Sequence, residues 1–211
     1  MANKQTGPVV DADGHVLEPF DIWQKYIDPQ YRDRAIRLEF DDKGWELMLF
    51  DNKPFEGVRG ILGAIGGVGS NAEDLEAFFT PGKSTYAQGS PAGSYDPQAR
   101  LKVMDDEKID MALLYPTIGI FWEGSVDDGK LASAYTRAYN RWILDFCSVN
   151  PKRLFPVAHI SLLDPEGAVE EVTWAKKNGC VGVYLSPDMP ARGGKHFDAP
   201  VFTRFWETVQ D

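Results

Sequence analysis

The chain has 211 residues, of which 43% are hydrophobic and 26% are charged, a composition typical of a globular domain and not of a disordered chain. It has 22 Lys and Arg and 32 Asp and Glu, and the resulting net charge of −10 makes binding to nucleic-acid phosphates unfavourable. No run of eighteen apolar residues predicts a membrane span, and the polar N-terminus does not resemble a signal peptide. Cys147 and Cys180 are therefore interpreted as buried free thiols, and we expect a cytoplasmic protein.

The first half of the chain begins with regular elements and then loses its pattern. A short apolar run predicts a strand over 9–13 that ends at Gly14 and His15, and helical spacing of large apolar residues follows over 19–27. Alternating apolar residues around a turn predict a β-hairpin over 36–50. A Gly-rich stretch over 57–94 then shows no periodicity, which indicates a lid or a mobile insertion, and a short helix is predicted from Pro97.

The second half alternates apolar strands with amphipathic helices. Continuous apolar strands in this rhythm are typical of a parallel sheet that is covered on both faces. Strands are predicted over 111–115, 154–158 and 181–185, and helices over 131–146, from 164 to 178 and from 198 onward.

This order predicts a single α/β domain over 1–211, with an insertion over about 36–96 that holds the hairpin and the Gly-rich stretch. Four βα units form either a small open sheet or half of a closed barrel. The helical pattern is still running at Asp211, which favours an incomplete barrel.

The end of the first strand concentrates groups that can bind a metal. Residues two apart in a strand point the same way, so Asp11, Asp13 and His15 are expected on one side. A carboxylate beside an imidazole suits zinc, manganese or iron. The alternative is that the aspartates cap the next helix and that His15 is only a polar residue at a strand end.

The surrounding residues favour the metal. The run VVDADGHVLEP over 9–19 resembles the first-strand signature of the amidohydrolase-related family of hydrolases and decarboxylases, in the branch of aminocarboxymuconate-semialdehyde and dihydroxybenzoate decarboxylases. That family has H-x-H in this strand, or an acidic residue in place of the first His, and Asp13 and His15 fall on those positions. Weaker similarities continue in order along the chain, at 100–105, 109–117, 139–142, 150–155, 164–168, 179–183 and 198–206.

The resemblance implies a (β/α)8 TIM-type barrel that is truncated after about four βα units and holds one divalent metal, Zn²⁺ or Mn²⁺. Asp13 and His15 would be metal ligands, and the family's remaining ligands, a His after the fifth strand and an Asp after the eighth, are expected beyond Asp211. The implied activity is hydrolysis of a C–N bond or decarboxylation of a small carboxylated or ring substrate, which this fragment alone need not show.

Three further residues near the predicted barrel mouth are candidates. His159 ends a strand and is predicted to be catalytic, as a substrate contact or general acid/base, although a hydrogen-bonded residue without chemistry is the alternative. Asp11 and Glu18 are expected to touch substrate or to lie behind the metal ligands, and for Glu18 a favourable position at a helix start is an equal explanation.

A non-catalytic function remains the alternative. A half-barrel leaves the outer edges of its first and fourth strands unpaired, and exposed edges favour association. The chain would then form a homo-oligomer or pair with a complementing C-terminal half.

Overall fold

The computed structural model describes residues 7–65, 76, 80–81 and 85–210. Its centre is a four-stranded parallel sheet in the order β1-β5-β6-β7, which confirms the predicted α/β architecture. The strands are β1 (Val10–His15), β5 (Met111–Tyr115), β6 (Leu154–His159) and β7 (Gly182–Tyr184). All four carboxyl ends therefore meet at one edge of the sheet, where parallel α/β folds place their sites.

Helices follow the strands as the alternation predicts. They are α1 (Asp21–Tyr26), α2 (Tyr86–Gly89), α3 (Pro97–Glu107), α4 (Ile118–Trp122), α5 (Gly129–Ser148), α6 (Pro165–Lys177) and α7 (Thr203–Gln210). Side-chain caps explain two of the starts, since Asp96 and Asp128 each accept two backbone N–H groups of the first turn. No helix in the described part of the chain is both long and apolar enough to span a membrane.

A second sheet is formed by the chain between α1 and α2. It is antiparallel and joins β2 (Arg37–Phe40), β3 (Glu46–Phe50) and β4 (Lys53–Phe55), so the predicted hairpin is confirmed and a third strand is added. The sequence prediction missed β4 because the strand is only three residues long and contains a proline. Asp51 and Asn52 form its turn with φ of 50° and 63°, the left-handed geometry that favours tight hairpins.

The Gly-rich stretch is only partly described. Residues 66–75, 77–79 and 82–84 lie outside the described residues, so its interpretation as a lid remains a prediction. The described remainder contains short 3-10 helices and α2, which the sequence reading missed. Thr85 and Gln88 form a reciprocal capping box at the start of α2.

The core lies between the parallel sheet and its helices. One face of α5 is buried along its length, and Tyr135, Tyr139 and Ile143 have no exposed surface. The aromatic residues of this helix are therefore core residues, as their helical spacing predicts. The helix α4 was not predicted, since five apolar residues directly after a strand show no helical period.

A β-bulge interrupts β1 just before its carboxyl end. Asp11 pairs with Ala112 and Gly14 with Leu114, so three steps along β1 match two along β5. Gly14 is required there, because a Cβ would lie 2.8 Å from Oδ2 of Asp11 and 2.9 Å from the Leu113 carbonyl oxygen. The expectation that Asp11 shares a side with His15 is wrong for this reason: the bulge puts Asp11 on the side of Gly14 and the opposite side from His15.

Candidate functional site

Asp13 and His15 lie together at the carboxyl end of β1. Oδ1 of Asp13 is 3.8 Å from Nε2 of His15, and the two side chains are 92% and 42% exposed. The structure thus brings together two of the three residues that the D-x-D-x-H pattern singled out. Both groups remain open to solvent and to a ligand at the mouth of the sheet.

The imidazole of His15 is held by the residues that follow β5. Nδ1 lies 2.9 Å from the carbonyl oxygen of Pro116 and 3.2 Å from Oγ1 of Thr117. A carbonyl oxygen only accepts hydrogen bonds, so Nδ1 carries the proton in this contact. Nε2 then keeps its lone pair on the side of Asp13, which is the form of histidine that binds a metal.

Glu18 contacts the backbone turn that follows β5, at residues 117–119, and has no exposed surface. Its carboxylate accepts backbone N–H groups from Thr117 at 3.1 Å, Ile118 at 2.9 Å and Gly119 at 3.4 Å. Burial raises the pKa of Glu18 from 4.5 to about 7, and the backbone N–H donors partly oppose that rise. Glu18 thus accepts the first backbone N–H groups of α4 and has no solvent contact of its own, and its predicted place near a substrate or metal stays a prediction.

A second buried carboxylate, that of Glu46, binds the backbone at the start of α2. Oε2 of Glu46 accepts the backbone N–H of Tyr86 at 2.6 Å, and the Tyr86 hydroxyl donates to the backbone carbonyl of Glu18 at 3.1 Å. Burial raises the pKa of the Glu46 carboxyl, as it does for Glu18. Glu46 was not recognised from the sequence, because its strand alternation gives no sign of a partner forty residues away.

Asp11 contacts a different set of groups from Asp13 and His15. Oδ1 of Asp11 accepts the backbone N–H of Asp13 at 3.1 Å, and Oδ2 lies beside Gly14 near the guanidinium of Arg100. Nη2 of Arg100 also donates to the backbone carbonyl of His15 at 2.9 Å. Asp11 thus shapes the bulge that carries Asp13 and His15.

His159 ends β6 but is completely buried. Its Nε2 forms a hydrogen bond with the buried carboxylate of Glu123, and its ring packs against Trp122 and Tyr184. Nδ1 has no hydrogen-bond partner among the described residues and faces Gly119, where a Cβ would lie 2.7 Å away. Sequence reasoning missed Glu123, since it directly follows the unpredicted helix α4.

The backbone of the same histidine is fixed by α5. Asn140 accepts the His159 N–H at 2.8 Å and donates to the His159 carbonyl at 2.9 Å. Its amide also donates to Glu171 on α6, which is paired with Arg141. This buried network joins β6 to two helices, and it restricts the movement of His159.

The remaining candidate residues lie elsewhere. His196 is exposed in the segment after β7. Cys147 and Cys180 are free thiols, the first buried and the second partly buried, and burial raises their pKa to about 12 and about 11. Both thiols are therefore protonated at neutral pH, as expected for structural cysteines.

The donor set at the mouth fits part of a metal site. Two ligands about 2.1 Å from a tetrahedral ion lie about 3.4 Å apart, close to the separation of the Asp13 and His15 atoms. Within the described ranges, however, no group of three or more His, Cys, Asp or Glu residues could enclose an ion. The pair would supply two ligands of such a site, and a complete site would need donors from outside the described residues.

Comparisons with known proteins find likeness at the level of structure. No family model and no curated protein matches the sequence. An amidohydrolase, map2389c, from Mycobacterium avium subsp. paratuberculosis K-10 is similar over 97% of this chain and 56% of its own, with 21% identity and a TM-score of 0.74.

Two decarboxylase structures are also similar. A 2,6-dihydroxybenzoate decarboxylase from Rhizobium has 18% identity and a TM-score of 0.55 over 97% of this chain and 47% of its own. A manganese complex of 5-carboxyvanillate decarboxylase from Novosphingobium aromaticivorans DSM 12444 has 16% identity and a TM-score of 0.57, covering 98% and 48%. The chain thus spans about half the length of these structures, and its α/β fold is similar to theirs over nearly its whole length, in agreement with the fold that the sequence resemblance implied.

Proposed function

We propose that this chain is part of a metal-dependent hydrolase or decarboxylase that acts on a small carboxylated or ring substrate. The observation that carries the proposal is the Asp13–His15 pair at the carboxyl end of β1, with Nε2 of His15 free to bind. Enzymes with βα barrels carry out their chemistry at that end of the strands. The similar folds of an amidohydrolase and two decarboxylases support the same class of reaction.

The proposed cofactor is one divalent ion, Mn²⁺ or Zn²⁺. Such an ion supplies Lewis-acid chemistry, which polarises a bound oxygen or lowers the pKa of a bound water. Asp13 would hold the ion through its exposed carboxylate and His15 through Nε2, while Pro116 and Thr117 keep the imidazole in place. The remaining ligands are proposed to come from further βα units.

The catalytic role predicted for His159 remains a proposal with a structural condition. The ring has no exposed surface and is paired with Glu123, so a substrate could reach it only if α4 moved. Its packing favours a role in holding α4 against β6. Asp11, on the opposite side from His15, is proposed to shape the bulge and not to touch substrate.

One observation favours a second candidate, in which the chain acts by pairing. In the described parallel sheet, β1 and β7 each have a neighbour on one side only. A cavity of about 550 Å³ beside β7 has a mostly apolar lining that includes Val172, Val183 and Val209, with Thr173, Lys176 and Thr208 as its polar members. A complementing C-terminal half or a second copy of the chain would cover both features. The molar mass in solution, measured by light scattering, tests for the second copy.

Paramagnetic broadening by Mn²⁺ tests the metal site directly, because this NMR effect detects even weak binding. We expect added Mn²⁺ to broaden the amide signals of residues 13–15 and 115–117 before all others. His15→Ala should remove this selectivity, because the imidazole is one of the two donors that the described residues supply at this end of the sheet. Carboxylated aromatic acids such as 2,6-dihydroxybenzoate are then the first substrates to assay for release of carbon dioxide.

The matched control is His196→Ala, which removes another exposed histidine far along the chain. Its broadening pattern should equal that of the unaltered chain. Broadening that begins elsewhere, or that survives in His15→Ala, contradicts the assignment of Asp13 and His15 as ligands.

A further inference from the structure

Glu18 is a carboxylate whose partners are all backbone groups of one turn. The side chain is completely buried, and both oxygens accept N–H groups of residues 117–119. A buried carboxylate without such donors would be strongly unfavourable, so the contacts hold the turn and the side chain to each other. Because Glu18 is only three residues after His15, they also tie the turn to the segment that leaves β1.

The same turn contains both groups that hold His15. Pro116 supplies the carbonyl that accepts from Nδ1 at 2.9 Å, and Thr117 supplies the hydroxyl at 3.2 Å. The N–H of Thr117 is one of the donors to Glu18. A shift of this turn would therefore move both contacts of the imidazole at once.

The direction of the His15 ring matters because its two nitrogens are not equivalent. The contact with Pro116 puts the proton on Nδ1 and leaves the Nε2 lone pair beside Asp13. Without that contact the exposed ring could rotate or take the other tautomer, in which Nε2 carries the proton. A protonated Nε2 does not bind a metal.

We infer that Glu18 is a positioning residue, which fixes the turn over 116–119 so that His15 presents an unprotonated Nε2 toward Asp13. The inference deepens the proposed function and, for its metal-binding consequence, rests on it. Glu18 itself contacts neither His15 nor Asp13 in the hydrogen bonds of the described residues. Its effect passes through the backbone of the turn.

The near-isosteric Glu18→Gln variant tests this inference. An amide nitrogen in place of one carboxylate oxygen sets a donor against the backbone N–H groups, so the turn loses part of its support. Long-range ¹H–¹⁵N correlation spectra report the tautomer of His15 without any metal. We expect the share of the tautomer with the proton on Nδ1 to fall, and the Mn²⁺ affinity at His15 to drop about tenfold or more.

Glu46→Gln is the matched control. Glu46 is also a buried glutamate that accepts a backbone N–H at the start of a helix, but its partner is Tyr86 and not the turn beside His15. A general loss of stability would affect both variants, whereas only Glu18→Gln should change the His15 tautomer. Glu18→Asp keeps the charge and shortens the side chain, so its effect should be intermediate.

The two readouts separate this inference from the proposed function. If Mn²⁺ still broadens the signals around His15 but the tautomer is the same in Glu18→Gln and the unaltered chain, the inference is wrong and the metal site stands. If the tautomer changes but no Mn²⁺ binds at His15 in the unaltered chain, the positioning is correct and the proposed metal site is wrong. Failure of both Glu18 variants to fold would also overturn the inference, since Glu18 would then be a residue required for the core.

Discussion

Two histidines end strands of the same parallel sheet, and they differ in exposure and in which ring nitrogen is hydrogen-bonded. His15 at the end of β1 keeps 42% of its side chain exposed and is held only through Nδ1, by a carbonyl and a hydroxyl. His159 at the end of β6 is completely buried and pairs through Nε2 with a buried carboxylate. Nε2 of His15 is therefore free to bind a ligand, whereas Nε2 of His159 is occupied by Glu123.

The helix α4 and the turn before it explain the difference. The turn over 116–117 touches one side of the His15 ring and leaves the other open, whereas Gly119 and Trp122 of α4 cover the ring of His159. A position at the carboxyl end of a parallel strand therefore does not by itself expose a side chain to a ligand. Whether such a side chain can contact a ligand depends on whether the element that follows the strands, here α4, covers it.

Replacing each histidine by alanine should give the largest contrast. His159→Ala leaves a cavity and a buried Glu123 carboxylate without its partner, so we expect the free energy of unfolding to fall by about 3 kcal/mol or more. His15→Ala removes an exposed ring and should change it by less than about 1 kcal/mol. Urea denaturation followed by circular dichroism measures both. Equal losses would show that the two sites do not differ in the way described.

The buried carboxylate behind His15 predicts a pH dependence of stability. The pKa of Glu18 is raised from 4.5 to about 7, so the folded chain binds more protons than the unfolded chain between these values. The free energy of unfolding should therefore fall as the pH rises from about 4.5 to 7, by up to about 3 kcal/mol from this group. Its contribution is fully present below pH 4.5 and is lost above pH 7.

Comparison with Glu18→Gln isolates this contribution. The variant cannot titrate at position 18, so its unfolding free energy should depend less on pH between 5 and 7.5 than that of the unaltered chain. Glu46, whose pKa is also raised by burial, contributes to both proteins and cancels in the difference. Identical pH profiles would mean that Glu18 does not carry a raised pKa in the folded chain.

Adding a methyl group at Gly119 should destabilise the packing of α4 against His159. Gly119→Ala would place a Cβ 2.7 Å from Nδ1 of His159 and 3.2 Å from Cβ of Pro116, so we expect a loss of about 1–3 kcal/mol in the free energy of unfolding. Gly182→Ala is the control, since the nearest atom to its Cβ would be 4.0 Å away. A thermal melt of both variants measures the difference. If Gly119→Ala were as stable as the control, α4 would not press on His159.

Much of the fold was predictable because its signals are local. Apolar runs predicted the parallel strands, and Pro165 and Gly179 mark the two ends of α6 through backbone preference, whereas the side-chain cap at Asp128 was not predicted. The short elements β4, α2 and α4 were missed, since three to five residues are too few to show a period. The bulge in β1 was missed for a similar reason, and with it the true direction of Asp11.

The sequence by itself determined the βα order, the Asp13–His15 pair at a strand end and the family resemblance, because each depends on residues that are near one another in the chain. Only the tertiary structure decided that His15 is open and His159 is closed, and that Glu18 supports a turn. Those outcomes depend on contacts such as Glu18 with Thr117 and His15 with Pro116, which join residues 99 and 101 positions apart. No local pattern specifies such pairs, since they form only when β1 and β5 lie side by side.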